Sequence, residues 1–92
     1  GNEISFIDVV EDTSENVVDR MVLSERIQKM YRAIEDVLSD REREIIYRRY
    51  GLMGIPETTQ REIGRSLGIS RSYVSRIEKK ALEKLRSHMT GH

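Results

Sequence analysis

The apolar positions in the second half of the chain recur at three- and four-residue spacing and are broken by one glycine turn. From Thr59 to Lys80 the sequence is TQREIGRSLGISRSYVSRIEKK. Thr59, with Glu62 three positions on, has the T-x-x-E signature of a capping box, which opens a helix by satisfying orphan backbone donors reciprocally. Ile63 and Leu67 share one face of that helix, and Gly64 beside them lets a second helix cross at close range without meeting a side chain. Gly68 suits the left-handed position just past a helix end. Ile69 is the apolar plug of the turn. Ser70 then caps a second helix, on which Val74, Ile77, Ala81, Leu82 and Leu85 repeat at helical spacing. The pattern predicts a helix-turn-helix over residues 59–80.

Upstream, a long helix is expected from about Ser14 or Glu15 to Val37. Val18, Met21 and Val22 form one stripe, and Ile27, Met30, Tyr31, Ile34, Val37 and Leu38 form a second, out of phase by about a residue. That slip predicts a bend or restart near Ser24. Met and Tyr at this spacing read as core, or in part as an exposed groove for a partner helix. Ser39 and Glu42 make an S-x-x-E box that starts a third helix, Asp40 to Tyr50, ended by Gly51. Ile45, Ile46 and Tyr50 would face the core, with Arg41, Arg43, Arg48 and Arg49 outside. Residues 52–58, with Gly54 and the single proline, Pro56, read as a loop. Residues 1–13 show no helical period and are expected to be an extended or flexible arm; Ile4, Phe6 and Ile7 could alternatively form a loosely packed strand-like patch. Gly1 reads as a tag remnant, and residues 89–92 as a disordered tail. The fold class is all-α, a small domain of about four helices (residues 14–88) ending in the helix-turn-helix.

Composition limits the function. Ninety-two residues make one small domain with a modest core, expected to be monomeric. Cysteine is absent, which excludes disulfides, thiolate metal sites and a cysteine nucleophile. No apolar run approaches a membrane span and no signal peptide is visible, so a cytoplasmic protein without membrane attachment is expected. His88 and His92 lie in the expected tail with no carboxylate cluster at ligand spacing. No catalytic residue, metal or cofactor is expected. Net charge is zero, which alone argues against a nucleic-acid partner. Its distribution argues the other way: residues 1–40 hold four basic side chains against ten acidic, so the remainder, with the helix-turn-helix, carries +6.

On the second motif helix Arg71, Ser72, Ser75 and Arg76 lie away from the Val74/Ile77 stripe, where a recognition helix presents side chains to base edges in a major groove. Arg61, Arg65, Lys79, Lys80, Lys84 and Arg86 flank them and suit phosphate contacts. A solvated basic face is the competing reading.

Two stretches, LSDREREIIYRRYGL and TQREIGRSLGISRSYVSRIEKKALEKLR, resemble domain 4 of bacterial sigma factors of the primary-sigma-like superfamily, above all the mother-cell sporulation branch. The resemblance runs from about Ser14 to Arg86, and residues 4–15 are similar to the end of the linker that precedes that domain. It implies recognition of the promoter −35 element in double-stranded DNA, with Arg71 as the reader of a guanine. It implies phosphate contacts by Arg41, Arg49, Thr59, Gln60, Arg61 and Lys80. It also implies docking on the RNA polymerase core through the β-flap, for which Met30, Tyr31, Ile34, Leu38 and Ile46 are candidate walls, and an anti-sigma protein as a further partner. The chain departs from the primary-sigma pattern, which has Glu after the arginine and Gln further along, where Ser72 and Arg76 stand here; the preferred −35 sequence should differ accordingly. The alternative class is a helix-turn-helix regulator of the response-regulator type, in which LSDREREII also recurs.

Overall fold

The computed structural model describes residues 2–11 and 20–89. Among the described residues there are five helices: α1 (Asn2–Glu11), α2 (Arg20–Val37), α3 (Asp40–Tyr50), α4 (Gln60–Leu67) and α5 (Arg71–Met89). The expected start of the long helix near residues 14–15, Val18 of its first stripe and residues 90–92 of the expected tail lie outside the described residues.

α3 forms as its flanks dictate. The Ser39 hydroxyl accepts from the Glu42 N–H at 3.3 Å while the Glu42 carboxylate accepts from the Ser39 N–H at 2.9 Å, completing the capping box. Gly51 ends the helix at φ 66°, left-handed backbone that a side chain would strain. α4 departs from expectation in one detail. The Thr59 hydroxyl accepts from the Glu62 N–H at 3.1 Å, but the Glu62 carboxylate takes the hydroxyl proton at 3.0 Å instead of reaching the Thr59 backbone. Only half of the reciprocal box is made. α2 runs unbroken through Ser24, so the expected restart there is not found. α5 runs on to Met89, because Leu85 and Met89, four apart, both pack on the core.

The main correction concerns residues 2–11. They are helical, and Phe6, Ile7 and Val10 are buried. Three apolar residues at i, i+1 and i+4 give a face one residue wide per turn, too short a signal to read alone; its partners on α2 and α5 complete it. Four polar ties hold α1 down. Asn2 Nδ2 donates to the Gly51 carbonyl at 3.0 Å, the Tyr31 hydroxyl to Glu3 at 3.0 Å, and Arg86 to the Val9 carbonyl at 3.2 Å. Arg26 pairs with Glu11 at 2.7 Å.

This packing decides the fate of the α2 stripe. Met30, Ile34, Leu38 and Ile46, expected as walls of a partner-binding concavity, are no more than 4% exposed and share one core cluster with Phe6, Ile7, Val10, Leu52, Ala81 and Leu85. Tyr31 alone of the five keeps part of its surface exposed, its hydroxyl engaged by Glu3 and by the Met53 N–H. A second, smaller cluster of Ile45, Ile63 and Val74, with Leu67, Ile69 and Ile77 against it, joins α3, α4 and α5.

The motif itself closes on Gly64. A Cβ there would lie 2.7 Å from the Ile69 carbonyl oxygen and 3.4 Å from the Arg71 nitrogen, so the turn and the first residue of α5 sit directly on the α4 backbone. Gly68 turns the chain at φ 72°, and the Ile69 N–H returns to the Gly64 carbonyl at 2.9 Å.

Two substitutions test this architecture in chemical denaturation. Phe6→Ala should lower stability by about 3 kcal/mol or more, as for a buried ring; a free arm would lose nothing. Gly64→Ala should cost about 1 to 3 kcal/mol through overpacking against a carbonyl that cannot rotate away, whereas an unchanged midpoint would mean that the helices do not meet there.

Candidate nucleic-acid interface

The Ser70 hydroxyl accepts from the Tyr73 N–H at 3.1 Å and starts α5 immediately after the turn. From that fixed start the helix buries Val74, Glu78, Ala81 and Leu85 and turns Arg71, Ser72, Ser75 and Arg76 to solvent. All four residues expected to meet base edges are exposed on one face. They line, with Gln60, a shallow depression of about 320 Å³.

Basic depressions lie on both sides of that row. One, of about 480 Å³, is lined by Arg49, Thr59, Gln60, Arg61 and Arg71. Its parts come from three helices and one backbone tie: the Thr58 N–H donates to the Arg48 carbonyl at 2.8 Å, which brings the loop back to α3 and sets the start of α4 beside Arg49. The N-termini of α4 and α5 both open here, adding their partial positive charge to the guanidinium groups. The other depression, about 340 Å³, is lined by Ser39, Arg41, Glu42, Tyr73, Arg76, Ile77 and Lys80. The structure thus gathers the six residues that the resemblance implies as phosphate contacts, Arg41, Arg49, Thr59, Gln60, Arg61 and Lys80, into two clusters beside that row. Lys79 stands apart, exposed on α5.

Ion pairing separates the cations by task. Among the described residues Arg41, Arg61, Arg65, Arg71, Arg76, Lys79 and Lys80 make no ion pair. Arg43 is held by Glu35 and Asp40, and Arg48 by Glu44 and the Ser66 hydroxyl. Lys84 reaches the buried Glu42 at 2.9 Å and Arg86 holds α1, so these two of the expected flanking cations are spent inside the protein. Burial would raise the Glu42 pKa, but the Ser39 N–H and the Lys84 ammonium outweigh it and hold the carboxyl below its ordinary value. Arg49 does both jobs, lining the first depression while its Nε lies 3.5 Å from Glu78.

Tyr73 was not foreseen from sequence. It is 48% exposed, and the Arg76 guanidinium lies 5.9 Å from its ring centre. The helical spacing of 73, 76 and 80 places it on the face of Arg76 and Lys80, a signal that was present in the chain. Glu78 and Tyr50 had no such signal, since their contact joins residues 28 apart in sequence.

Among the described residues no group of His, Cys, Asp or Glu is placed to hold a metal ion, and no helix is long and apolar enough to cross a membrane.

Residues 36–87 match the family model described as sigma-70, region 4. Among curated proteins, the chain is 54% identical over 85 residues to an RNA polymerase sigma-28 factor of Bacillus thuringiensis subsp. kurstaki, covering 92% of this chain and 35% of that one. It is likewise 54% identical over 85 residues to the RNA polymerase sigma-K factor of Bacillus subtilis, covering 92% and 29%. An RNA polymerase sigma-E factor of Clostridium acetobutylicum is 38% identical over 82 residues, covering 89% and 32%. The chain thus spans about a third of the length of these relatives. No solved structure matches it. With its helix-turn-helix and a family match over more than half its length, the chain belongs to the sigma-70 region 4 family, a DNA-binding and non-enzymatic module of sigma factors.

Proposed function

We propose that this chain is the part of a sigma factor that reads the promoter −35 element and docks on the β-flap of RNA polymerase to direct transcription initiation. The observation that carries the DNA half is the exposed row Arg71, Ser72, Ser75 and Arg76 between two basic depressions on the same face. Two lines of backbone phosphate flank a major groove, and a helix inserted there needs cations on both sides of it. Arg71, at the first turn of α5 and free of ion pairs, suits bidentate hydrogen bonding to guanine; Ser72 and Ser75 tolerate several bases. Tyr73 belongs in the same set, with a hydroxyl for phosphate and a ring face for a thymine methyl.

The polymerase half meets a constraint. The apolar walls on which a flap helix would rest are closed by α1, so docking there requires α1 to leave. An amphipathic flap helix would put its own apolar face where α1 now puts Phe6, Ile7 and Val10, and would have to replace the four polar ties of α1 as well. An anti-sigma protein would act by covering either face.

Amide NMR titration tests both halves separately. A duplex carrying a sporulation-type −35 element should shift Ser70 to Lys80 together with Arg41, Arg49 and Thr59 to Arg61. In binding assays Arg71→Ala should lose about 1 to 3 kcal/mol and relax specificity at one base, while Lys80→Ala should weaken all duplexes alike and lower the salt slope by about one. Equal loss on every sequence for Arg71→Ala would remove it as a base reader. A β-flap peptide should move the signals of Phe6 and Val10 toward their positions in an unstructured chain; a bound peptide that leaves α1 untouched would place docking on another surface.

A further inference from the structure

Glu78 stands where α5 should be apolar. It shares the inner face of the helix with Val74, Ala81 and Leu85 and is 8% exposed. A carboxylate in such a place is costly unless its oxygens are satisfied, and here they are. Oε2 accepts the Tyr50 hydroxyl proton at 2.7 Å. Oε1 accepts from Gln60 Nε2 at 2.8 Å and lies 3.5 Å from Arg49 Nε. Burial, and then the carboxylate itself, raise the Tyr50 pKa well above its ordinary value, so that hydroxyl is a fixed donor at neutral pH.

Two of the three groups around Glu78 line the 480 Å³ depression with Thr59, Arg61 and Arg71: Gln60, held by a hydrogen bond, and Arg49, whose buried Nε stands at ion-pair distance without making a hydrogen bond. The carboxylate therefore sits behind the depression and orients its donors from the protein side. Gln60 spends one amide hydrogen on Glu78 and keeps the other. Arg49 turns Nε inward and leaves its terminal nitrogens, of which Nη1 is 3.9 Å from the exposed Glu57, an ion pair that costs little to give up. A long arginine and a glutamine held this way lose less rotamer freedom when they bind an anion.

We propose that Glu78 is a positioning residue for DNA binding: it pre-orients Arg49 and Gln60 to grip one backbone phosphate in the depression between the start of α4 and the start of α5. The proposal rests on the reading of that depression as a phosphate site. It runs against simple electrostatics, because a carboxylate near a phosphate repels it, and that conflict makes the test decisive. If charge dominated, removing it would tighten binding. If positioning dominates, Glu78→Gln weakens binding although it removes a negative charge, since the neutral amide no longer attracts the Arg49 guanidinium and leaves one acceptor oxygen where the carboxylate had two.

The experiment uses the intact chain and a duplex that it selects from a random pool, remade with one phosphate at a time neutralised as methylphosphonate. For the unaltered protein, one neutralised phosphate near the depression should lower affinity about tenfold, roughly one charge-assisted hydrogen bond. Arg49→Ala should abolish that sensitivity and no other. Glu78→Gln should bind the intact duplex about three- to tenfold more weakly and lose its sensitivity at the same phosphate, with the other phosphates responding as before. Tyr50→Phe, which keeps the ring and removes one anchor of the carboxylate, should give a smaller loss confined to that phosphate, and serves if Glu78→Gln does not fold. A merely structural role would alter melting and leave the phosphate pattern intact. Full sensitivity of Glu78→Gln at the phosphate that Arg49→Ala silences, or tighter binding, would overturn the positioning role while leaving the site standing. If Arg49→Ala silences no phosphate, the site itself is gone and the proposal with it.

Discussion

The burial of one face of α5 is the constraint on which the rest of the molecule depends. This helix packs against each of the other four, and Val74, Ala81 and Leu85 are fully buried along it. Its N-terminal half is held by the small cluster with α3 and α4, its C-terminal half by the larger one with α1 and α2. A helix that is to enter a groove must leave one face without protein contacts, so its orientation has to come entirely from the opposite face. The close approach at Gly64 fixes where the helix begins, and the apolar stripe fixes how it is rotated. Together they decide which side chains face outward, and that choice is the function.

Electrostatics refines this arrangement without building it. A chain with zero net charge can bind a polyanion if its acids are either spent on internal partners or kept away from the binding face. Both occur here. Glu42 and Glu78 are buried under α5 and tie α3 and α4 to it, through Lys84 in one case and through Tyr50 and Gln60 in the other. Such buried carboxylates are weak as sources of stability, since their desolvation offsets much of the attraction. Their worth lies in direction: a carboxylate accepts from donors at fixed angles, where an apolar contact would let α3 and α4 slide.

Most of the motif was legible in the sequence because its signals are local. Ser39 with Glu42, Gly51, Gly64 and Gly68 each act within a few residues, through caps and backbone conformations that neighbours dictate. The recognition row was legible for the same reason, helical phase being a property of one segment. What was not legible depended on distant partners. Residues 2–11 looked like an arm because Phe6, Ile7 and Val10 become a helix face only against α2 and α5. The stripe with Met30, Ile34 and Leu38 allowed either core or partner surface, and these residues, with Ile46 of α3, share one core cluster with Phe6, Ile7 and Val10 of α1. Glu78 reads as one more charge in RIEKK until its position opposite Tyr50 and Gln60 is seen.

Tyr50 joins the two halves of the molecule. Its ring lies 4.8 Å from that of Phe6, so the end of α3 supports α1, while its hydroxyl donates to Glu78, the carboxylate that also accepts from Gln60 of the basic depression. Ring and hydroxyl therefore serve different ends: the ring packs on the core with Phe6, and the hydroxyl belongs to the polar ties around Glu78. Departure of α1 would uncover one edge of that ring without touching the hydrogen bond. The bond leans on the ring's placement, which Arg49 also supports, its guanidinium lying 5.6 Å from the ring centre. Arg49 belongs to α3 and not to α1, so the placement of the Tyr50 hydroxyl on Glu78 has a support that is independent of α1.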